Sequence, residues 1–195
     1  VAYTDWSWAP LFGDLDNDGM KDLFITNGMR RDVRNADYMK KLREAPYMDI
    51  EKEHAKWAEK IPVEPISNYV YRNRGNFTFA KVSQEWGFDW KGFSQGLALA
   101  DLDRDGDLDV VMNNLDDVSR IYENESPRRH FLQIKGKGLG ANTQGIGMRV
   151  EMITENGGQM QEMTTSRGYL SSADPILHFG LGDAETINQV KVIWP

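Results

Sequence analysis

Aromatic and aliphatic residues alternate with polar ones along Asn68-Tyr69-Val70-Tyr71-Arg72-Asn73 and again along Phe77-Thr78-Phe79-Ala80-Lys81-Val82. A period of two predicts strands with one face in a core and the other in water. The intervening Arg74-Gly75-Asn76 reads as a short hairpin turn. Residues 119–124 echo the first of these strands. The short apolar runs Leu23-Phe24-Ile25-Thr26 and Val110-Val111-Met112 read as buried strands, as does the segment 95–100. Ser126-Pro127-Arg128-Arg129 marks a boundary. Beyond it, further strands are predicted at 130–134, 148–154, 159–165, 176–179 and 190–194, with the Asn-Gly of Glu155-Asn156-Gly157-Gly158 signalling a tight hairpin. Between Gly28 and Pro65 the apolar period lengthens. Asn35 is placed to cap a helix through Tyr38, Met39 and Leu42, and Asp49 to cap another with Ile50, His54, Trp57 and Ile61 on one side. His54 is read there as a packing residue, and the charged run 51–60 as a solvated face.

The segment Asp14-Leu15-Asp16-Asn17-Asp18-Gly19-Met20-Lys21-Asp22 recurs as Asp101-Leu102-Asp103-Arg104-Asp105-Gly106-Asp107-Leu108-Asp109. Each copy places acids at positions 1, 3, 5 and 9 and glycine at 6. Carboxylates this dense repel one another unless a cation sits among them, and Ca²⁺ is a hard ion that collects six to eight oxygens. The expected ligands are Asp14, Asp16, Asp18 and Asp22 around one ion and Asp101, Asp103, Asp105 and Asp109 around a second. The position-7 carbonyls of Met20 and Asp107 would be turned inward by the glycine bend. An EF-hand is excluded because position 12 is Ile25 or Met112 rather than Glu, and the flanks read as strands rather than helices. The bland alternative is a solvated acidic turn. The two copies agree beyond their acids: Ser7 aligns with Ser94, Leu15 with Leu102 and Asn27 with Asn114.

Composition narrows the function classes. The 195 residues, 40% hydrophobic and 27% charged, suffice for one large or two small domains with a real core. A net charge of −7 argues against nucleic acid as a partner. The chain has no cysteine, which removes disulfides, thiolate zinc and thiol catalysis. No apolar run approaches the roughly 20 residues of a membrane helix. The chain opens Val1-Ala2-Tyr3-Thr4 without Met or signal peptide, and so reads as a segment of a longer protein whose targeting signal lies upstream. Low-affinity calcium modules suit an extracellular setting. The three histidines, His54, His130 and His178, fall in unrelated contexts, and no Gly-x-Ser-x-Gly or His-Glu-x-x-His is present. Asn76-Phe77-Thr78 and Asn124-Glu125-Ser126 match the N-glycosylation pattern and are read as chance.

Residues 8–27, Tyr71-Arg72-Asn73, Phe77-Thr78-Phe79 and 96–114 resemble FG-GAP (VCBS-type) repeats. The segments 142–150, Arg167-Gly168-Tyr169-Leu170-Ser171, His178-Phe179-Gly180-Leu181-Gly182 and Val190-Lys191-Val192-Ile193-Trp194-Pro195 resemble an ASPIC/UnbV domain. The resemblance implies a mainly β chain. Residues 1–126 would form two blades of a partial β-propeller, like those of integrin α-subunits, with a helical insertion at about 29–64. Residues 127–195 would form a small all-β sandwich or barrel. It also implies two Ca²⁺ ions in the Asp loops and an exported protein, often anchored at the outer surface of Bacteroidetes-type bacteria. The implied role is adhesion or glycan capture without catalysis. A polysaccharide-degrading hydrolase or lyase, which needs a carboxylate pair, and a purely structural capping or protein-interaction domain are the alternatives. Two repeats cannot close a propeller, so self-association through open sheet edges is a further expectation. Trp6, Trp8, Trp86 and Trp90 are read first as packing residues and second as sugar platforms. Arg167-Gly168-Tyr169 is read as a packed turn, with a ligand-facing loop as the alternative.

Overall fold

In strand β1 (Ser7–Gly13) Ala9, Leu11 and Gly13 are buried while Pro10 and Phe12 face outward, the alternation expected of a strand with one covered face. Its neighbour β2 (Asp22–Asn27) is buried at every residue, as a central strand covered on both faces must be. These belong to a computed structural model that describes residues 4–33, 35–47 and 54–195. Helix α1 (Ala36–Glu44) follows β2, and Asn35 caps it by accepting the Tyr38 N–H through its side chain. Helix α2 (His54–Glu59) and strand β3 (Ile66–Ser67) come next. Asp49 and Ile50, assigned to the second helix as cap and stripe, and the side chains of His54 and Trp57 lie outside the described residues.

The chain then returns to the first sheet through β4 (Tyr69–Asn73) and β5 (Phe79–Lys81), giving the antiparallel order β1-β2-β4-β5. The alternating pattern predicts a strand from Phe77 to Val82, yet Phe77 is fully exposed at a turn. Gly75, Asn76 and Phe77 all adopt left-handed backbone, and Arg74 N–H donates to the Thr78 carbonyl. The alternation therefore starts the strand two residues too early, inside a turn longer than the three residues expected.

Strand β6 (Lys91–Gly92) pairs with β3. Strands β7 (Ser94–Ala100), β8 (Asp109–Asn114) and β9 (Arg120–Tyr122) build a second antiparallel sheet in that order. The repeat holds at the level of hydrogen bonds. Ser7 pairs with Asn27 and donates to its side chain at 2.9 Å; Ser94 pairs with Asn114 and does the same at 2.8 Å. Both sheets carry an irregularity just after that serine. Between the sheets Ala9, Leu11, Phe24, Val70, Phe88, Leu97, Val110 and Met112 form one core, each large side chain contributing roughly 1.5–3 kcal/mol by burial. Trp86 and Trp90 pack on it, and Arg120 lies over the Trp90 ring. Trp8 donates to the Gly28 carbonyl and touches Tyr169. These three tryptophans are thus engaged in packing.

Strands β10 (His130–Lys135), β11 (Arg149–Thr154), β12 (Gly157–Glu162), β13 (Ile176–Gly182) and β14 (Ile187–Ile193) make two further sheets, β10-β13 and β12-β11-β14. Their core is Met148, Val150, Met152, Met163, Leu177, Phe179 and Leu181. The hairpin between β11 and β12 closes on the pair Thr154–Gly157, so Glu155-Asn156 is its turn and Gly157 supplies the positive φ. The fold is mainly β, in several small sheets, with no closed barrel among the described residues.

Candidate metal centres at two aspartate loops

The loops connect β1 to β2 and β7 to β8, neighbouring antiparallel strands in both cases. Both bend alike: position 4 (Asn17, Arg104) and position 6 (Gly19, Gly106) have positive φ. In each loop the acids at positions 1, 3 and 5 converge. One oxygen from each of Asp14, Asp16 and Asp18 lies within 4.8 Å of the others, and Asp101, Asp103 and Asp105 do likewise. The position-9 acids stand outside those sets and brace the loops instead. Asp22 accepts the backbone N–H groups of Leu15 and Asn73; Asp109 accepts those of Leu102 and Asn124. Each carboxylate thereby ties its loop to the next strand of its sheet or the residues after it. At position 7, Met20 is partly exposed whereas the Asp107 side chain is buried.

Burial pushes the carboxyls of Asp14, Asp22 and Asp107 up to about 7 and raises Asp16, with neighbouring aspartates adding to the effect in each. Backbone N–H groups oppose the shift at Asp14 and Asp22. Such acids hold either protons or a cation at neutral pH. One oxygen each of Asp16, Asp101 and Asp107 is buried with no hydrogen-bond partner among the described residues. An orphaned buried carboxylate oxygen is costly, and a hard oxygen-seeking cation satisfies it. The donor set therefore fits Ca²⁺.

Two neighbours of the loops were not legible from spacing. Arg72, on β4, places Nη2 2.6 Å from Asp16 and 3.4 Å from Asp18, so the first loop contains an internal cation. Asn73 and Asn124 make equivalent bonds to Asp22 and Asp109, so the residue equivalent to Arg72 at the second loop is Glu123. The second neighbour is His178 on β13. Its Nε2 is 2.7 Å from the Asn17 side-chain oxygen. The Asn17 amide donates in turn to the Gly106 carbonyl, so that Asn17 oxygen accepts and His178 carries its proton on Nε2. Burial drops the His178 pKa to about 4, and its ring stacks on Phe131.

The same contacts join the two loops to the C-terminal strands. Gly182 N–H donates to the Asn17 carbonyl, and Gln133 donates to Asp101 at 2.7 Å. A Cβ at Gly180 would collide with the Asp14 carboxylate and with the Asn17 backbone, so only glycine permits β13 to lie this close. The turn carrying Arg167-Gly168-Tyr169 reaches between β1 and β7: Tyr169 packs on Trp8, and Gly168 sits over Ala9 and the Leu97 carbonyl.

Residues 64–112 match the family model of the FG-GAP-like repeat, and residues 138–195 match that of ASPIC and UnbV. No curated protein matches the chain. The first match contains the second aspartate loop, and the first loop lies outside it. Together the matches indicate an extracellular-type repeat and protein-interaction module, of kinds that are generally non-catalytic. Among the described residues no helix is long and apolar enough to cross a membrane.

Proposed function

We propose that this chain is a calcium-stabilised, non-enzymatic module of a larger exported surface protein, serving adhesion or glycan capture. In this reading its first two sheets are blades of a propeller and the C-terminal strands dock across their loop end. Asp14, Asp16 and Asp18 hold one Ca²⁺ and Asp101, Asp103 and Asp105 a second, with the carbonyls at Met20 and Asp107 available to complete the shells. Asp22 and Asp109 hold the loops in shape and retain lone pairs toward the ion. The ion supplies charge neutralisation and rigidity. The supporting observation is the recurrence, in two loops of matching backbone, of three converging carboxylates with a partnerless buried oxygen.

Binding to the folded state alone adds RT ln(1 + [Ca²⁺]/Kd) per site, about 2.7 kcal/mol at 100 times Kd. With roughly 2–4 °C per kcal/mol for a chain of this size, two filled sites raise Tm on the order of 10 °C. Differential scanning fluorimetry in EDTA and in 10 mM CaCl₂ should show that gain, and Asp16→Ala with Asp103→Ala should abolish it. An unchanged wild-type Tm removes the calcium assignment.

A further inference from the structure

Between the loop ends of the two sheets and the C-terminal strands lies a cavity of about 420 Å³, within the range typical of small-molecule sites. Four cationic side chains line it from four separate places: Lys21 in the first loop, Arg104 in the second, Lys135 at the end of β10 and Arg167 in the turn before β13. In a chain of net charge −7 this clustering runs against the overall balance. Among the described residues none of the four makes an ion pair. Lys21 is half-buried, close enough to Arg167 to be repelled by it and to Asp14 to be attracted by it.

Three acids also line the cavity. Asp14 is turned into its own loop, accepting the N–H groups of Asp18 and Gly19, and Asp101 accepts from Gln133. Asp14 also attracts Lys21, and Asp101 keeps one oxygen without a partner among the described residues, so four cations face three acids on the wall. Phe12 and Phe131 complete the wall and remain 51% and 40% exposed. Flat apolar rings beside unpaired guanidinium and ammonium groups suit a ring with a pendant anion: the rings take its apolar face, and an arginine such as Arg167 holds two oxygens of a carboxylate or sulfate through two N–H groups.

We infer that this cavity binds a sugar ring bearing a carboxylate or sulfate group. The inference rests on the glycan-capture part of the proposed function and not on calcium. Isothermal titration of the full chain with sodium glucuronate, glucose 6-sulfate and glucose, each in EDTA and in CaCl₂, tests it. One or both anionic sugars should bind in both buffers, and which one does distinguishes carboxylate from sulfate. Glucose should bind roughly tenfold or more weakly. Lys21→Gln and Arg167→Gln should each weaken the anionic sugar about tenfold or more. Lys135→Gln, at an exposed strand end, should weaken it less while leaving the melting curve unchanged, and Asp174→Asn should strengthen it. Equal binding of glucose overturns the anionic site while leaving glycan capture standing. Binding by none of the three, or affinities unchanged in both Arg167→Gln and Lys135→Gln, overturns the site itself. The calcium-dependent Tm, read separately, is unaffected by either result.

Discussion

Arg72 competes with calcium for the first loop, and its removal should separate the two sites. Its guanidinium lies 2.6 Å from Asp16 and 3.4 Å from Asp18, with all three side chains mostly buried. Charge-assisted hydrogen bonds of this kind are worth about 1.5–3 kcal/mol net. A Ca²⁺ entering the first loop must displace or share that contact, whereas at the second loop the residue in the equivalent strand position is the acid Glu123, and among the described residues no basic side chain pairs with Asp101, Asp103 or Asp105. Calcium should therefore fill the second loop first. In Arg72→Gln the metal-free protein loses the ion pair, and its Tm in EDTA falls by roughly 3–10 °C. Calcium then meets no resident cation, so affinity at the first loop rises by the same energy, about 10- to 100-fold. The variant is thus weaker than wild type in EDTA yet shows the larger calcium-induced gain. Titration calorimetry should resolve two affinities in the wild type and bring them together in the variant. The mirror change, Glu123→Arg, should weaken the second site. If Arg72→Gln shows an equal or smaller calcium gain than wild type, the competition is refuted.

Protons compete for the same oxygens. Asp14 titrates near 7 when folded, against 3.8 for the ordinary carboxyl. The folded state binds more protons than the unfolded one between those values, so metal-free stability falls as pH rises from about 4 to 7. Calcium affinity should climb through the same window and level off above it. Calorimetry in two buffers of different ionisation enthalpy should then show proton release on binding near pH 6.5; its absence refutes the competition. His178 works in the opposite sense. Its folded pKa of about 4 lies below the ordinary 6.5, so its contribution, about 3 kcal/mol, is full above 6.5 and is lost as pH falls toward 4. The wild-type-minus-His178→Gln difference in urea-unfolding free energy should therefore fall by about that amount as pH drops across the interval; a difference that stays constant with pH refutes the assignment. Gly180→Ala should cost about 1–3 kcal/mol or more, because its Cβ would meet the Asp14 carboxylate and Asn17 backbone. Urea unfolding checks this, and a neutral result would refute the close approach of β13.

Local signals were legible and long-range ones were not. The aspartate repeat, the Asn35 cap and the Ser7–Asn27 and Ser94–Asn114 equivalence each show in residue type and spacing, because bends, caps and alternation are set within a few residues. The brace made by Asp22 and Asp109 did not show, since acids at position 9 look the same as those at 1, 3 and 5. Only the neighbouring N–H groups of Asn73 and Asn124 reveal it. Arg72 and His178 were hidden for a different reason. Each reads locally as an ordinary strand residue, and what brings it to the loops is sheet order and the docking of β13. Phe77 shows the converse failure: an alternating pattern starts inside the turn that Gly75 and Asn76 also form.

The placement of the loops links three events that spacing alone would treat as separate. Asn17 bonds the first loop to the Gly106 carbonyl of the second and to His178, while Gly182 N–H returns to the Asn17 carbonyl. Two clusters of acids set side by side under a packed strand repel one another, and burial strengthens that repulsion by excluding water. Docking of β13 is consequently opposed by the charges and favoured by whatever neutralises them. Linkage is reciprocal: a cation that strengthens docking is itself held more tightly by the docked state, by the same factor. A substitution such as Phe179→Ala, in the core of the C-terminal strands, alters no converging carboxylate, yet by loosening β13 it should lower calcium affinity as well as stability. An affinity untouched by that change would mean that the loops hold their ion independently of the strands above them.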